Sequence, residues 1–314
     1  MKVAVVGSGF IGRAWAISFA RAGHEVALWD QDASAAGQAR SYISAVLGDL
    51  ERHGLLGGQA PAAVLDRIST TAELAEALEG AGHVQENTPE KLDVKRAVFA
   101  LIDGMADAEA VIASSSSALL PSSFTEHLEG RHRCLVVHPL NPPYLIPAAE
   151  VVPAPWTSAD TVERTRVLLV EAGHAPLVMK RELDGFIMNR LQGALLEEAF
   201  RLVADGYAGV EDVDIGIRDG LALRWSFIGP FETIDLNAPG GVRDYVERYQ
   251  GIYENLFAQM QRRVDWAGPV LETVEAARRE RLPEDRLVER QVWRDRRLMA
   301  LAAHKRSADE DIGT

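Results

Sequence analysis

The chain contains a single cysteine and no long apolar run, and each shortage excludes a class of protein. Cys134 has no second cysteine to pair with, so neither an intrachain disulfide nor a cysteine-based metal cage can form. Uncharged stretches such as Cys134–Ala149, which contains four prolines, fall short of the roughly 18–20 apolar residues that cross a membrane. We therefore expect a cytoplasmic protein that holds no metal.

Basic residues are also in short supply, because 33 Lys and Arg face 46 Asp and Glu and give a formal net charge of −13. Such an acidic chain is poorly suited to bind nucleic acid or an anionic membrane through its overall field. We expect a small-molecule substrate instead. With 47% apolar and 25% charged residues, the 314-residue chain has the composition of a globular protein of about two domains.

The first half of the sequence alternates short β-rich runs with helical stretches. The strand-like runs are Lys2–Val6, Glu25–Trp29, Arg67–Thr70, His83–Glu86, Ala110–Ala113, Arg133–Val137 and Ala149–Val152, and the helical stretches include Phe10–Ala22, Ser34–His53, Leu92–Leu101 and Thr161–Glu171. Alternating strands and helices imply βαβ units with right-handed crossovers. We predict an α/β fold with a Rossmann-type, mostly parallel sheet.

The second half shows helical patterns and no convincing strand. Its helical segments are Gly185–Asp205, Val242–Ala267, Pro269–Leu282 and Glu284–Arg306. A Lys-Arg-Glu cluster within Met179–Asp184 marks the boundary, so the predicted domains are residues 1–182 and an all-helical second domain of residues 183–314. The apolar faces of these helices suit either a core or a dimer interface. We predict a homodimer formed mainly by the second domain.

Three glycines form a G-x-G-x-x-G pattern after the first strand-like run. Gly7 permits a tight turn, Gly9 lets the backbone approach a pyrophosphate, and Gly12 allows close packing of the following helix on the strand. The start of that helix offers free N–H groups to phosphates. An ordinary tight turn is the alternative, but the position between strand and helix favours a dinucleotide-binding turn.

Asp30 ends the second strand-like run, 18 residues after Gly12. A carboxylate at this position can accept hydrogen bonds from both ribose hydroxyls of an adenosine and would repel a 2′-phosphate. No arginine follows within the next nine residues to bind such a phosphate. The sequence therefore favours NAD over NADP.

His138 stands where an apolar strand meets a proline-rich loop, and Glu150 follows 12 residues later. The carboxyl ends of parallel strands are where α/β folds place ligands. An imidazole there can remove a hydroxyl proton while hydride leaves the carbinol carbon, and a carboxylate can orient the ring. An unrelated loop histidine and surface glutamate would give the same spacing.

Taken together, these motifs identify a family. They are Gly7–Gly12, Asp30, Ser114–Ser117, His138–Pro142 (H-P-L-N-P), Glu150 and Gly185–Arg190 (G-F-I-M-N-R), with Val84–Glu86, Pro89-Glu90, Trp225–Glu232, Leu236–Ala238 and Trp293–Asp295 as further matches. The first set resembles the 3-hydroxyacyl-CoA dehydrogenase family, and the second resembles its lambda-crystallin/L-gulonate 3-dehydrogenase branch. The resemblance covers nearly the whole chain and implies an NAD-dependent oxidoreductase acting on a CH–OH group.

The resemblance also implies roles for the catalytic residues. His138 would be the general base and Glu150 its orienting partner. Ser117 would hydrogen-bond the substrate hydroxyl or the nascent carbonyl, and Asn189 would close the site from the second domain. From the residues alone, Ser117 is also compatible with a serine-rich strand end and Asn189 with a helix cap.

Four further residues correspond to family positions that contact the cofactor. Glu90 and Lys95 would contact the nicotinamide half of NAD, and Phe10 and Ile11 would line the dinucleotide through their backbone. Without the resemblance, the spacing of Glu90 and Lys95 is typical of a solvated helix start.

The substrate class depends on the supply of cations. An acyl-CoA needs Lys or Arg to hold its phosphates, whereas Ala45–Asp66 contains Arg52 and no lysine. Arg224, before the Ile228–Pro230 turn, can bind a small carboxylate through two hydrogen bonds, although a surface arginine on a loop is the alternative. We predict oxidation of the 3-hydroxyl of a small hydroxy acid such as L-gulonate.

Three alternatives remain open at this point. The first is a 3-hydroxyacyl-CoA dehydrogenase, which would use the same catalytic residues. The second is a carnitine 3-dehydrogenase, for which Trp225 and Tyr144 are candidates to surround the trimethylammonium group. The third is a non-catalytic, crystallin-like structural protein, against which the joint presence of the catalytic residues argues.

Overall fold

The computed structural model describes residues 1–313 of the chain. Across these residues one sheet contains β1 Lys2–Val6, β2 Glu25–Trp29, β3 Ile68–Thr71, β4 Ala81–Glu86, β5 Val111–Ser114, β6 Cys134–Pro139, β7 Ala148–Pro153 and β8 Ala175–Val178. The helices are α1 Phe10–Arg21, α2 Ala33–Arg52, α3 Pro61–Leu65, α4 Leu74–Leu78, α5 Leu92–Met105, α6 Pro121–Thr125, α7 Ala159–Glu171, α8 Met188–Ala204, α9 Val210–Ile215, α10 Ala222–Trp225, α11 Pro230–Leu236, α12 Gly241–Gln259, α13 Pro269–Arg281 and α14 Leu287–Ile312. Short 3₁₀ turns span Arg131–Arg133 and Glu284–Arg286, and Gly216–Leu221 is a π-helical segment.

The strands lie in the order β3-β2-β1-β4-β5-β6-β7-β8. All pairs from β3 to β6 are parallel, β7 runs antiparallel to β6, and β8 is parallel to β7. The predicted Rossmann-type, mostly parallel sheet followed by helices is confirmed. Because the strand order reverses between β1 and β4, the carboxyl ends of these two strands flank a crevice of the kind in which such folds bind ligands.

The strand that the sequence does not predict is β8. It has four residues, contains Pro176 and lies at the edge of the sheet. An edge strand tolerates proline because one side of its backbone forms no ladder. Its residues are half-buried or exposed, so the buried apolar pattern that signals the other strands is missing.

Apolar side chains fill both faces of the sheet. Successive residues of β1 alternate between two cores, with Val3 and Val5 in one and Ala4 and Val6 in the other, all fully buried. Because both faces are covered, the parallel strands read as nearly continuous apolar runs in the sequence. This is why their positions are visible before the structure is known.

The chain forms two compact units, one of residues 1–188 with the segment from Val292 onward, and one of residues 189–291. They differ from the predicted domains of residues 1–182 and 183–314 because α14 supplies its C-terminal part to the first unit. There Leu298 and Met299 pack into the core that contains α1 and α2, and Arg296 Nε lies 3.2 Å from Asp49 Oδ2. Contacts between residues 247 positions apart leave no local pattern in the sequence.

The second unit consists of helices and their connections. Arg201 of α8 is buried and donates to the carbonyl oxygen of Arg262 at 2.7 and 3.0 Å. Trp266 donates to Glu197 Oε2 at 2.9 Å, and its ring stacks on Phe200. Among the residues that the structure describes, no helix has both the length and the apolar character needed to span a membrane.

Candidate active site

The structure brings His138 and Glu150 together. They occupy one register position of the antiparallel pair β6–β7, so their side chains leave the sheet on the same face. His138 Nδ1 lies 2.6 Å from Glu150 Oε2, and both side chains are buried. His138 and Glu150 are therefore not an unrelated loop histidine and surface glutamate, which is the alternative from the sequence.

The second oxygen of Glu150 is also engaged. Glu150 Oε1 accepts hydrogen bonds from the backbone N–H groups of Ile187 at 2.6 Å and Met188 at 2.8 Å. A carboxylate oxygen that accepts two backbone N–H groups at the start of a helix is held in a fixed position. Its orientation toward His138 is therefore set by two strands and a helix start.

Phe186 forms one wall beside the imidazole. Its ring is fully buried, and its centroid lies 5.5 Å from that of His138. Gly185 and Phe186 have positive φ values of 76° and 48°, a conformation that L side chains adopt rarely. This turn positions the two N–H groups that donate to Glu150. The strained backbone at Phe186 therefore contributes to the geometry of the site.

The imidazole is thus prepared for proton transfer at one nitrogen. Since a carboxylate accepts from Nδ1, the neutral ring carries its proton there and keeps a lone pair on Nε2. The pair can therefore take up a proton at Nε2 and stabilise the resulting imidazolium through Glu150.

The glycine turn has the shape that a dinucleotide requires. Gly7 has φ +90°, and a Cβ there would lie 2.9 Å from the carbonyl oxygen of Asn87. A Cβ on Gly12 would lie 1.8 Å from the carbonyl oxygen of Gly7, whereas a Cβ on Gly9 would meet nothing within 4 Å. Gly7 and Gly12 are thus required by the fold itself, and Gly9 faces the open space where a pyrophosphate would lie.

Asp30 is tied to the same turn. Its Oδ2 accepts from the backbone N–H and the hydroxyl of Ser8 at 2.7 and 2.8 Å, and its Oδ1 accepts from the N–H of Asp32 at 3.0 Å. The carboxylate is half-buried and fixed at the end of β2. Phe10 begins α1 with an exposed side chain, while Ile11 packs against the core. These residues fit NAD.

Lys95, which is expected to contact the nicotinamide half of NAD, is buried within the first unit. Its side chain is 1% exposed, and its ammonium group donates to Glu86 Oε1 and Oε2 at 2.9 and 2.8 Å and to the carbonyl oxygen of Thr88 at 3.0 Å. All three donors are used within the protein. The structure places Lys95 below the β4–α5 connection, where it neutralises the buried Glu86.

Glu90 contacts the serine-rich segment after β5. Its Oε1 accepts from Ser116 Oγ at 2.5 Å and from the N–H groups of Ala118 and Leu119 at 3.0 and 3.1 Å. Although burial disfavours the charged form, these hydrogen bonds and the charge of Lys95 lower the pKa of Glu90. Ser117 is exposed within the turn that Glu90 holds.

The remaining predicted residues belong to the second unit. Asn189 is the second residue of α8 and is half-buried. Arg224 is an exposed residue of α10, and its Nη1 donates to Asn237 Oδ1 at 3.3 Å. Asn237 is uncharged, so this hydrogen bond does not neutralise the charge of the Arg224 guanidinium.

Sequence reasoning did not single out three residues that shape the site. They are Ser8, which holds Asp30; Glu86, which binds Lys95; and Phe186, which packs against His138. Glu86 had a usable signal, because a carboxylate at the end of a buried strand must have a buried partner. Ser8 and Phe186 lie inside motifs whose glycine and asparagine positions attract attention first.

Comparison with known proteins decides the family. A model of the NAD binding domain of 3-hydroxyacyl-CoA dehydrogenase matches residues 2–182, and a model of the C-terminal domain of 3-hydroxyacyl-CoA dehydrogenase matches residues 185–281. The chain belongs to the 3-hydroxyacyl-CoA dehydrogenase family. It binds NAD and is an NAD-dependent oxidoreductase that acts on a CH–OH group, as the family does.

Individual relatives agree with this assignment. Lambda-crystallin of Oryctolagus cuniculus is 41% identical over 307 residues, covering 97% of this chain and 96% of the relative. L-Carnitine dehydrogenase of Streptomyces griseus subsp. griseus is 40% identical over 249 residues, covering 79% and 73%. The crystal structure of 5-formyl-3-hydroxy-2-methylpyridine 4-carboxylic acid 5-dehydrogenase, described as an NAD⁺-dependent dismutase, has a TM-score of 0.82 at 28% identity and covers 98% of both chains. The expected resemblance to the family and its lambda-crystallin branch is confirmed.

Proposed function

We propose that the protein oxidises the 3-hydroxyl of a small hydroxy acid, with L-gulonate as the reference substrate, and that His138 is the general base. The observation that carries this proposal is the 2.6 Å contact between His138 Nδ1 and Glu150 Oε2. It leaves Nε2 as the acceptor for the hydroxyl proton. Bound NAD supplies the hydride acceptor.

The protein residues divide the remaining work. Glu150 keeps the proton of the neutral ring on Nδ1 and stabilises the imidazolium after Nε2 has taken up the substrate proton. Ser117 hydrogen-bonds the substrate oxygen as it becomes a carbonyl, and Asn189 contributes from the second unit. Asp30 and the Gly7–Gly12 turn bind the adenosine and pyrophosphate parts of NAD.

The choice of a small acid rests on the distribution of cations. Arg52 is the single Lys or Arg within Ala45–Asp66, and it forms an ion pair with Asp49. Arg224 has only a neutral partner, Asn237, in its recorded hydrogen bond and can bind a carboxylate with two parallel hydrogen bonds. A single cation of this kind suits a small hydroxy acid.

A 3-hydroxyacyl-CoA is the second candidate, and one observation favours it. The return of α14 adds Arg296, which contacts Asp49, and Arg306, which donates to the carbonyl oxygen of Gly54 at 2.8 Å. Both arginines are exposed next to Arg52. Three arginines at the end of α2 form a cationic surface that suits phosphate groups.

Carnitine receives less support from the first unit. Tyr144 is 3% exposed, and its hydroxyl lies 3.4 Å from that of Tyr42, so its ring is not open to a trimethylammonium group. Trp225 is 40% exposed and remains a candidate in the second unit.

The decisive experiment measures NADH formation with L-gulonate, carnitine, 3-hydroxybutyrate and 3-hydroxybutyryl-CoA at matched concentrations. We expect the highest kcat/KM with a free hydroxy acid. A preference for the CoA thioester would replace the small-acid assignment with the second candidate, and a preference for carnitine would indicate the third. Absence of turnover with every compound would favour the crystallin-like structural role.

We also propose a cytoplasmic homodimer that associates through the second unit. Helix α12 carries a stripe of exposed apolar residues: Val242, Val246, Tyr249, Ile252, Tyr253, Leu256 and Phe257. Their spacing places them on one face of the helix. Because Ile252 and Phe257 are more than half exposed, a second copy that covers this stripe would remove considerable apolar surface from water.

A further inference from the structure

Two glutamates of one neighbouring part of the chain hold the turn that carries Ser117. The turn runs from Ser114, the last residue of β5, to Leu119; Glu86 is the last residue of β4, and Glu90 lies in the connection between β4 and α5. Glu90 Oε1 accepts three hydrogen bonds from this turn, one from Ser116 Oγ before Ser117 and two from the backbone N–H groups of Ala118 and Leu119 after it.

Glu86 accepts a hydrogen bond from the first residue of the same turn. Its Oε2 accepts from Ser114 Oγ at 2.6 Å, and Ser114 Oγ accepts from the N–H of Ser116 at 3.1 Å. Glu86 is itself fully buried and neutralised by Lys95. The turn is therefore gripped on both sides of Ser117 by carboxylates whose positions depend on α5 and β4.

These contacts leave Glu90 Oε1 with little capacity to accept a further hydrogen bond from a ligand. A carboxylate oxygen has two lone pairs, and Oε1 already serves three donors at distances of 2.5 to 3.1 Å. Hydrogen bonds of this charged kind are strong and directional. They constrain the backbone at Ala118 and Leu119, immediately after Ser117.

We propose that Glu90 is a positioning residue, which sets the location of Ser117 against the substrate oxygen by holding the Ser116–Leu119 turn. The inference rests on the proposed role of Ser117 in the reaction. It assigns Glu90 to the geometry of the alcohol site and not to the affinity for the nicotinamide half of the cofactor. Glu86 binds the start of the same turn through Ser114 Oγ, and Lys95 holds Glu86 in place.

The first test separates turnover from cofactor affinity. Glu90→Ala should lower kcat on the order of 10–10²-fold, because a displacement of about 1 Å at a reacting group has effects of this size. The dissociation constant of NADH, followed by fluorescence titration, should change by less than about threefold. Glu109→Ala, at an exposed glutamate in the turn before β5, is the matched control.

Glu90→Gln is a conservative variant, which keeps the test valid if the alanine variant does not fold. Its amide oxygen can still accept from Ser116, Ala118 and Leu119, so kcat should recover to within about tenfold of the wild type. If either variant instead weakens NADH binding more than about tenfold while kcat is retained, Glu90 contacts the cofactor directly and the proposal is wrong.

A double-mutant cycle tests whether Glu90 acts through Ser117. In a Ser117→Ala background, Glu90→Ala should lower kcat by no more than about threefold, since the group it positions is already missing. Full additivity of the two losses would overturn the proposal. The cycle uses whichever compound of the substrate panel the wild type turns over.

Hydrogen exchange in the protein without substrate gives a readout that does not depend on activity. The amides of Ala118 and Leu119 should exchange roughly tenfold or more faster in Glu90→Ala than in Glu109→Ala. Unchanged exchange would overturn the proposal even if activity falls. If the wild type oxidises none of the panel compounds, the proposed function fails, whereas the exchange result still decides whether Glu90 holds the turn.

Discussion

His138 and Glu150 lie opposite each other on neighbouring antiparallel strands, with Nδ1 and Oε2 2.6 Å apart. This relationship fixes the orientation of the imidazole, as the proposed role of His138 requires, because the carboxylate also accepts two backbone N–H groups and is held in place by them. The register of β6 and β7 pairs these two residues, and paired residues of neighbouring strands lie on one face of the sheet.

His138→Asn should lower kcat by roughly 10²–10⁴-fold, because the asparagine amide cannot accept the substrate proton. Binding of NADH should persist, since the glycine turn and Asp30 are untouched. Glu150→Gln should give a smaller loss in the same parameter, and His127→Asn, at an exposed histidine, should behave as the wild type. Steady-state kinetics check all three, and near-normal kcat in His138→Asn would rule out the proposed base.

Asp30→Ala should reduce the preference for NAD over NADP by about tenfold or more, because the ribose loses a charged hydrogen-bond partner and the 2′-phosphate loses a repulsive neighbour. The ratio of kcat/KM for the two cofactors measures this effect. Asp66→Ala, at an exposed aspartate after α3, is the control. Equal turnover of both cofactors by the wild type would contradict the role assigned to Asp30.

Arg224→Met should lower kcat/KM for a free hydroxy acid. The expected loss of transition-state stabilisation is on the order of 2–4 kcal/mol, because bound substrate would remove the ion pair from water. The loss should appear mainly in KM, and the affinity for NADH should be unchanged. Arg243→Met changes an exposed arginine of the same unit and should have no such effect. Intact hydroxy-acid kinetics in Arg224→Met would count against the small-carboxylate site.

Ile252→Glu should shift the protein from dimer to monomer, because a charge in the apolar stripe of α12 would be buried without a partner. Sedimentation velocity at micromolar concentration measures the mass. Gln250→Glu, on the same helix at an exposed polar position, should leave the dimer intact. A wild-type protein that sediments as a monomer would refute the proposed assembly.

Stability should fall as the pH is lowered from about 6.5 toward 4. Burial lowers the pKa of His83 to about 4 and that of His174 to about 4, whereas an unfolded histidine has a pKa near 6.5. Between these values the unfolded state binds more protons, so the free energy of unfolding decreases as the pH falls and is fully recovered above about pH 6.5. Each histidine contributes on the order of 1.4 kcal/mol per pH unit within this window.

Denaturant unfolding at pH 7.5, 6.5 and 5.5 checks this dependence. His174→Phe should weaken it, since the phenyl ring can still pack on Trp15, whose ring lies 4.8 Å from that of His174, and cannot be protonated. His127→Phe should leave the slope as in the wild type because His127 is exposed. An identical slope in His174→Phe and the wild type would show that His174 does not contribute.

Much of the first unit is determined by local sequence. The runs of β1 and β2 are apolar because both faces of the sheet are covered, and their boundaries, Lys2–Val6 and Glu25–Trp29, match the prediction residue for residue. The glycine turn follows for a similar reason. Gly7 and Gly12 satisfy steric demands of their immediate neighbours, so the pattern alone indicates where a dinucleotide binds.

Tertiary structure decides what depends on pairing between distant segments. The spacing of His138 and Glu150 is compatible with unrelated positions until the antiparallel register of β6 and β7 joins them. The sequence position of Lys95 predicts a cofactor contact, and only the structure shows that its ammonium group is also bonded to Glu86 and to the carbonyl oxygen of Thr88. The C-terminal helix belongs in part to the first unit because Met299 finds its core there. Local propensity and spacing identify elements and candidate residues, but long-range packing sets which of them meet, because those contacts depend on strand order and burial that no short stretch of sequence encodes.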